Sequence, residues 1–432
     1  MTSQPVKILE SIIRSKILQY LSDNSVITHG QHGFVSKKSC FTNLLETFED
    51  WTLAVDLGYG IDVIYLDYGK AFDSVLHFRL IEKLVGYGFS GNLLSWLMGF
   101  LQGRSQRVVL NGVKSQWSEV TSGVPQGSVL GPLLFVLSTN DIAEIIQCHF
   151  GIYADDTKIY SVIKSLCDTV NLQQDLDNIQ DWSKLWFLNL NSEKCKFMHI
   201  GKSLCSSYEM VNADIPGEVM KLSEVTFEKD LGVWMTSNMD PSFHCQKAAA
   251  SAMKVLGLIK RSFSRVSGDL FIFLYKTYVR PHLEYCVQLW CPYLARDIDV
   301  LERVQMRATK LVREVAKLSY ELRLQKLGIY SLFCRRKRGD LIETYKILNG
   351  DIDCSKLFLM STVHSTRGHS MKLFKRPSRL KMRLNFFTQR VVSTWNSLPE
   401  EVVSAVTVAD FKQKLDLYWG KLGYGYEQRP RA

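Results

Sequence analysis

At 432 residues the chain is long enough for two or three domains, and 46% apolar residues with 11% aromatics give it a substantial core rather than disorder. The longest apolar run, Val129 to Leu137, is about half a bilayer span and is broken by Gly131 and Pro132, so no membrane partner is expected. The net charge of +10 hides an asymmetry: residues 1–240 carry 19 basic against 27 acidic side chains, and residues 241–432 carry 34 against 16. An acidic half with clustered Asp beside a strongly basic half suggests a metal-dependent site joined to a grip on a polyanion. A basic solvated surface would give the same charge.

The start of the chain, Met1-Thr2-Ser3-Gln4-Pro5, lacks the charged-then-apolar pattern of a secretory signal. The ten cysteines are scattered without a CxxC pair, the nearest two being Cys286 and Cys291. That spacing argues against a zinc site and a disulfide framework. Reduced thiols in an intracellular protein, nuclear or cytoplasmic, are expected.

Apolar residues at helical spacing predict helices over Ile8–Leu21 and Phe41–Leu57. Asp62-Val63-Ile64-Tyr65-Leu66-Asp67 is a β-prone run ending in an acid and predicts a buried strand. Helices follow over Asp73–Gly86 and Leu93–Leu101. Arg107–Leu110 and Trp117–Val120 flank Asn111-Gly112 and predict a hairpin. Gly123-Val124-Pro125-Gln126-Gly127-Ser128 is a loop, and Pro132 opens a helix running to about Ile146. Strands on either side of Tyr153-Ala154-Asp155-Asp156 form a second hairpin. Val170–Leu185 is an amphipathic helix, and Phe187–Leu190 and Lys196–Ile200 are short strands. Beyond Gly232 the helices Cys245–Phe263, Leu270–Tyr278 and Val300–Leu318 are basic. Past Gly350 the periodicity weakens, and Lys372, Lys375, Arg376, Arg379, Arg383 and Arg390 mix with aromatics. The order from Val63 to Tyr160 implies a split βαβ sheet, which can bring Asp67 beside the Asp155-Asp156 turn.

Two adjacent acids at a hairpin tip are costly to bury without a partner. A solvated turn explains them. So does a pair of divalent cations, since carboxylates suit Mg²⁺, with Mn²⁺ as a substitute, and two such ions clamp the attacking and leaving oxygens of a phosphoryl transfer. On that reading Asp67 and Asp155 are metal ligands, and Asp156 completes or orients their shell. Phe72 is either a core ring or a ring against a bound sugar that excludes a 2′-hydroxyl. Gln126-Gly127 is either a loop-to-helix transition or a close backbone approach to a base or sugar. Lys194 is either a solvated turn lysine or a proton donor to leaving pyrophosphate.

Three segments follow one another in order: Val63 to Asp73, Ser122-Gly123-Val124-Pro125-Gln126-Gly127-Ser128 through Phe135, and Tyr153-Ala154-Asp155-Asp156-Thr157. They resemble the consecutive palm motifs of reverse transcriptases from non-LTR (LINE-type) retrotransposons, the Jockey/CR1-like branch in particular. Leu188 to Lys194 and Lys229-Asp230-Leu231-Gly232-Val233 are similar to the later palm motifs, and Thr394 to Pro399 to a tail segment. The resemblance implies an α+β right-hand fold of fingers, ferredoxin-like palm and helical thumb. Fingers and palm would occupy residues 1–236, a thumb-like region 237–330 and a basic region 331–432. It implies synthesis of DNA from dNTPs on an RNA template and a DNA primer with two Mg²⁺ ions. Asp67, Asp155 and Asp156 would be the catalytic acids, Phe72 the sugar gate, and Gln126 and Gly127 the template–nucleotide contact.

The sequence departs from that pattern in places. Val35 stands where relatives tend to have Arg, leaving Lys38 as the candidate triphosphate contact, and Ser138-Thr139 replaces a usual aromatic–aliphatic pair. The endonuclease domain and the start of the fingers are expected to be missing. A catalytically inactive nucleic-acid-binding derivative is the alternative. A phosphodiesterase using the same acids lacks a water-activating His beside them. Arg335-Arg336-Lys337-Arg338 reads as a nuclear address or a further phosphate contact.

Overall fold

The computed structural model describes residues 3–202, 206–212, 217–354, 357–361 and 368–421. The chain divides into two compact units, one of residues 1–43 and 58–226, the other of residues 44–57 and 227–432. Both mix helix and strand. The nine cysteines among the described residues are free thiols. No helix among the described residues is long and apolar enough to cross a membrane.

The first unit is built on a five-stranded sheet. Its strands are β1 (Gly60–Leu66), β2 (His149–Tyr153), β3 (Asp156–Ile163), β4 (Lys196–Ile200) and β5 (Ser223–Glu224), in the spatial order β5-β4-β1-β3-β2. β1 pairs antiparallel with β3 and with β4, β2 and β3 form a hairpin, and β5 runs parallel to β4. Helices lie between β1 and β2 and between β3 and β4, the β-α-β-β-α-β succession of a split βαβ sheet. Ile61, Val63 and Ile64 are fully buried, as the apolar run predicts for a central strand.

Helix α1 (Gln4–Asp23) has Pro in its first turn, where a missing N–H costs nothing, and buries Ile17 and Leu21. Next come α2 (Cys40–Asp56), most of which belongs to the second unit, then α3 (His77–Gly86), α4 (Gly91–Leu101), α5 (Gly131–Thr139) and α6 (Leu166–Trp186). Ser165 and Asp168 form a capping box at the start of α6. The buried Glu10 caps α5 from a distance, its Oε2 accepting the amides of Val129 at 2.6 Å and Leu130 at 3.0 Å. A carboxylate there also meets the positive end of the helix dipole.

Three local expectations need correction. The helix expected over Asp73–Gly86 is interrupted, because Val75 and Leu76 turn their backbone to the loop at Ser122-Gly123: the Gly123 amide donates to Val75 O at 2.8 Å, and Leu76 bridges Ser122. Phe187–Leu190 is no strand; Phe187 closes α6 in the left-handed conformation at φ 56°, and Leu190 alone makes a bridge, to Tyr68. The helix expected over Val300–Leu318 spans Ala295–Thr309, beyond which the backbone makes three-residue turns. The hairpin at Asn111-Gly112 does form, with φ of 50° and 83° at the turn, as a type I′ turn requires.

The second unit is mostly helical. It holds the hairpin β6 (Phe227–Asp230) and β7 (Val233–Thr236), then α7 (Ser242–Ser262), α8 (Ala295–Thr309), α9 (Leu332–Leu348), α10 (Phe387–Asn396) and α11 (Val408–Lys421). Its arginines do not form one continuous grip. Arg383 is 1% exposed and holds Glu49 with two guanidinium nitrogens. Arg390 pairs with both oxygens of Asp340 at 2.8 Å, and Arg379 donates to Asp56 O at 2.8 Å. The run at 335–338 lies inside α9: Arg335 pairs with Glu284, Arg338 with Asp416, and Arg336 is buried. An extended basic address needs these groups unfolded in water, whereas here they are helical, one is buried and two are ion-paired.

Candidate active site

Asp67 follows the last residue of β1, and Asp155 lies in the turn between β2 and β3. The register pairs Leu66 with Thr157 and Tyr153 with Asp156, so the end of β1 reaches the level of a two-residue turn, Ala154-Asp155. Ala154 takes a left-handed φ of 59° without being glycine, a strain of about 1–2 kcal/mol that the surroundings must offset. Burial raises the Asp155 carboxyl above its ordinary range, a backbone hydrogen bond opposes this, and the Asp67 charge adds to the rise. A cation shared with Asp67 would offset the cost of ionising Asp155.

The Asp67 backbone is anchored by the segment before β4. Its carbonyl accepts the Asn191 amide at 2.8 Å, and its amide points at the buried Cys195 Sγ at 3.5 Å. Lys194 Nζ stands 3.3 Å from Asp67 Oδ2, with both side chains substantially exposed, so the pair contributes no more than about 1 kcal/mol and is easily separated. Oδ2 is itself shielded from solvent and faces a cation already, the Lys194 ammonium, which a hard divalent ion could replace. Asp156 is exposed, and among the described residues no group of three or more His, Cys, Asp or Glu is gathered to hold a metal ion. The structure thus brings Asp67, Asp155 and Lys194 together, but not three carboxylates into one preformed cluster.

The Phe72-Asp73 segment and the loop that carries Gln126 are joined by backbone and side-chain hydrogen bonds. The Val124 amide donates to Phe72 O at 2.9 Å, Ser122 Oγ to Asp73 O at 2.9 Å, and Gln126 Nε2 to Asp73 Oδ1 at 2.8 Å. Gly123, at φ 85°, lies so close that an added Cβ would sit 2.9 Å from Asp73 Cα. Phe72 is half-buried and stacks on Phe135 with ring centroids 4.2 Å apart. Gly127 takes φ 82°. A polar cleft of about 610 Å³ opens here, lined by Lys70, Asp73, Arg104, Glu119 and Gln126 among others. Lys38 is turned to the carbonyl of His29, a contact within its own loop.

The sequence profile described as "Reverse transcriptase (RNA-dependent DNA polymerase)" matches residues 1–259. The chain belongs to the reverse transcriptase family. It is 26% identical over 336 residues to the RNA-directed DNA polymerase from mobile element jockey of Drosophila melanogaster, covering 73% of this chain and 35% of that protein. It is 24% identical over 323 residues to the probable RNA-directed DNA polymerase from transposon X-element of the same fly, covering 71% of this chain and 34% of that protein. The chain thus spans about a third of the length of these curated relatives. Among solved structures, apo telomerase from Candida tropicalis matches with a TM-score of 0.41 at 12% identity, over 74% of this chain and 53% of that one.

Two contributors to this family member's site escaped the reading of the sequence. Cys195 counts in the sequence only as one of ten scattered reduced thiols, yet it lies against the Asp67 amide. Gln31 has no role in the sequence reading, although glycines at 30 and 33 flank it and allow close backbone approach.

Proposed function

We propose that the chain carries the polymerase of a non-LTR retrotransposon and adds dNTPs to a primer 3′-hydroxyl on an RNA template. The observation that carries this reading is the approach of Asp67 to Asp155, from segments that also resemble consecutive polymerase motifs. Asp67 and Asp155 would hold divalent cations, Mg²⁺ by preference, with Asp156 completing the set. Such ions activate the attacking hydroxyl and balance charge on the leaving pyrophosphate.

The chain's own residues set the rest of the site. Phe72, braced by Phe135, lies where a ring would meet the sugar. Gln126 and Gly127, tied to Asp73, present a side-chain amide and an open backbone to the template–nucleotide pair. Lys194 neutralises Asp67 and, released from it, has an ammonium to offer a leaving group. Residues 1–236 then serve as fingers and palm, 237–330 as thumb, and 331–432 as a basic accessory region.

Primer extension on an RNA template tests the reading. The unmutated protein should extend the primer with Mg²⁺ and not with EDTA, and Asp155→Asn should abolish extension while keeping template–primer binding. A protein that binds template–primer but adds no nucleotide would be a nucleic-acid-binding derivative, and the enzyme reading would fail.

A further inference from the structure

We propose that Gln31 is a positioning residue that sets the Ala154-Asp155 turn and thereby aims the Asp155 carboxylate. The inference rests on the reading of Asp155 as a metal ligand. Gln31 is 1% exposed, and its Oε1 accepts two backbone amides, Gly33 at 2.7 Å and Ala154 at 3.2 Å. Both partners are N–H donors, so the side-chain oxygen rather than the nitrogen must face them.

The clamp is built into the sheet edge. Gln31 bridges Ile152 in parallel, the His32 amide donates to Ile152 O at 2.8 Å, and the Ile152 amide donates to Gly30 O at 2.9 Å. A Cβ on Gly33 would lie 2.5 Å from the Ala154 nitrogen, so this segment must run directly beneath the turn. Ala154 is the residue with the left-handed backbone, and it is this residue's amide that Gln31 captures. Holding that peptide fixes the direction in which the next residue, Asp155, projects. Gln31 itself touches no reacting atom.

Gln31→Met keeps the volume and removes the acceptor, and Gln31→Glu keeps an acceptor oxygen. Amide hydrogen exchange of the peptide spanning Ala154, Mn²⁺ binding without nucleic acid, and steady-state extension are measured on the full chain. Gln31→Met should expose the Ala154 amide to faster exchange, weaken Mn²⁺ binding about 10-fold and lower kcat by a similar factor, with KM for template–primer unchanged. Gln31→Glu should restore the exchange protection. If Gln31→Met lowers Tm but leaves Ala154 exchange and Mn²⁺ binding as in the unmutated protein, Gln31 is merely a packed side chain and the proposal is overturned. Should Gln31→Met not fold, Gly33→Ala provides the second test, because its methyl must displace the same peptide; unaltered Ala154 exchange there also overturns the proposal. An unmutated protein that never extends a primer would defeat the polymerase reading, while the exchange experiment would still decide whether the clamp exists.

Discussion

Asp155 is held half-buried in the β2–β3 turn, where the charge of Asp67, one residue past β1, adds to burial in keeping its carboxyl protonated to higher pH than usual. Folding thus brings together two acids that repel, an arrangement that costs stability unless something else uses it. A folded-state carboxyl pKa raised above its unfolded value favours the folded state at low pH, and that advantage is lost as pH rises through the folded value. Asp155→Asn should therefore raise Tm at pH 7, and the gain should shrink as pH falls through the raised pKa. The same variant should lose extension activity by at least about 10²–10³-fold, the scale for one preorganised electrostatic group. Calorimetry across pH and a primer-extension assay check the two halves; a variant less stable at pH 7 would contradict the repulsion.

The basic residues of the second unit should separate into two behaviours. Arg383 is buried against Glu49 and Thr52, so Arg383→Met leaves a carboxylate without its cation and should destabilise by about 3–5 kcal/mol in urea unfolding. Lys375 is exposed, and Lys375→Ala should leave the urea midpoint unchanged while lowering the slope of log K against log salt for template–primer binding by about 0.7–0.9. An unchanged salt slope for Lys375→Ala would remove it from the nucleic-acid surface.

These pairings mark where the sequence stopped being legible. The acid after a β-prone run, the Asn-Gly hairpin and the acids at a hairpin tip are local signals, and the structure forms each element within a few residues of its expected place. Arg383 and Glu49 are 334 positions apart, and nothing in either neighbourhood says that one neutralises the other. A basic, aromatic-rich segment therefore read as a surface although parts of it are core. Phe187–Leu190 failed for a similar reason: its β-prone composition was outweighed by closure of α6 and by a single bridge from Leu190 to Tyr68. Of the candidate site, Asp67 and the turn could be paired from topology. Glu10, Gln31 and Cys195 could not, because each acts on a backbone amide of a distant segment.

Lys83 offers a stability test in the first unit. Its ammonium is buried beneath Trp186, 3.6 Å from the ring centroid, and beside Asp141. Burial lowers its pKa to about 8, with Asp141 opposing the shift. A lysine whose folded pKa lies below its unfolded value is penalised when charged, so stability rises with pH between about 8 and the unfolded value near 10.4. The rise should be on the order of 3 kcal/mol across that window. Lys83→Met should remove it, which urea unfolding at pH 7.5 and pH 9.5 would reveal as a smaller difference than in the unmutated protein. Equal differences would mean that the amine is better solvated than its 7% exposed side chain implies.

Phe72 decides between a packed ring and a selective one. Stacking on Phe135 at 4.2 Å fixes one face, and the ring is only partly buried against the core. A ring held this way resists displacement by a 2′-hydroxyl, because moving it would break the contact with a fully buried Phe135. Phe72→Val should shorten the wall without touching Asp67 or Asp155. In single-nucleotide extension the preference for dNTP over rNTP should fall by about 10–100-fold, mainly through improved kcat/KM for the ribonucleotide. If dNTP and rNTP incorporation instead decline together, with a lower Tm, then the ring supports the core and selection against ribose lies elsewhere in the loop that joins Asp73 to Gln126.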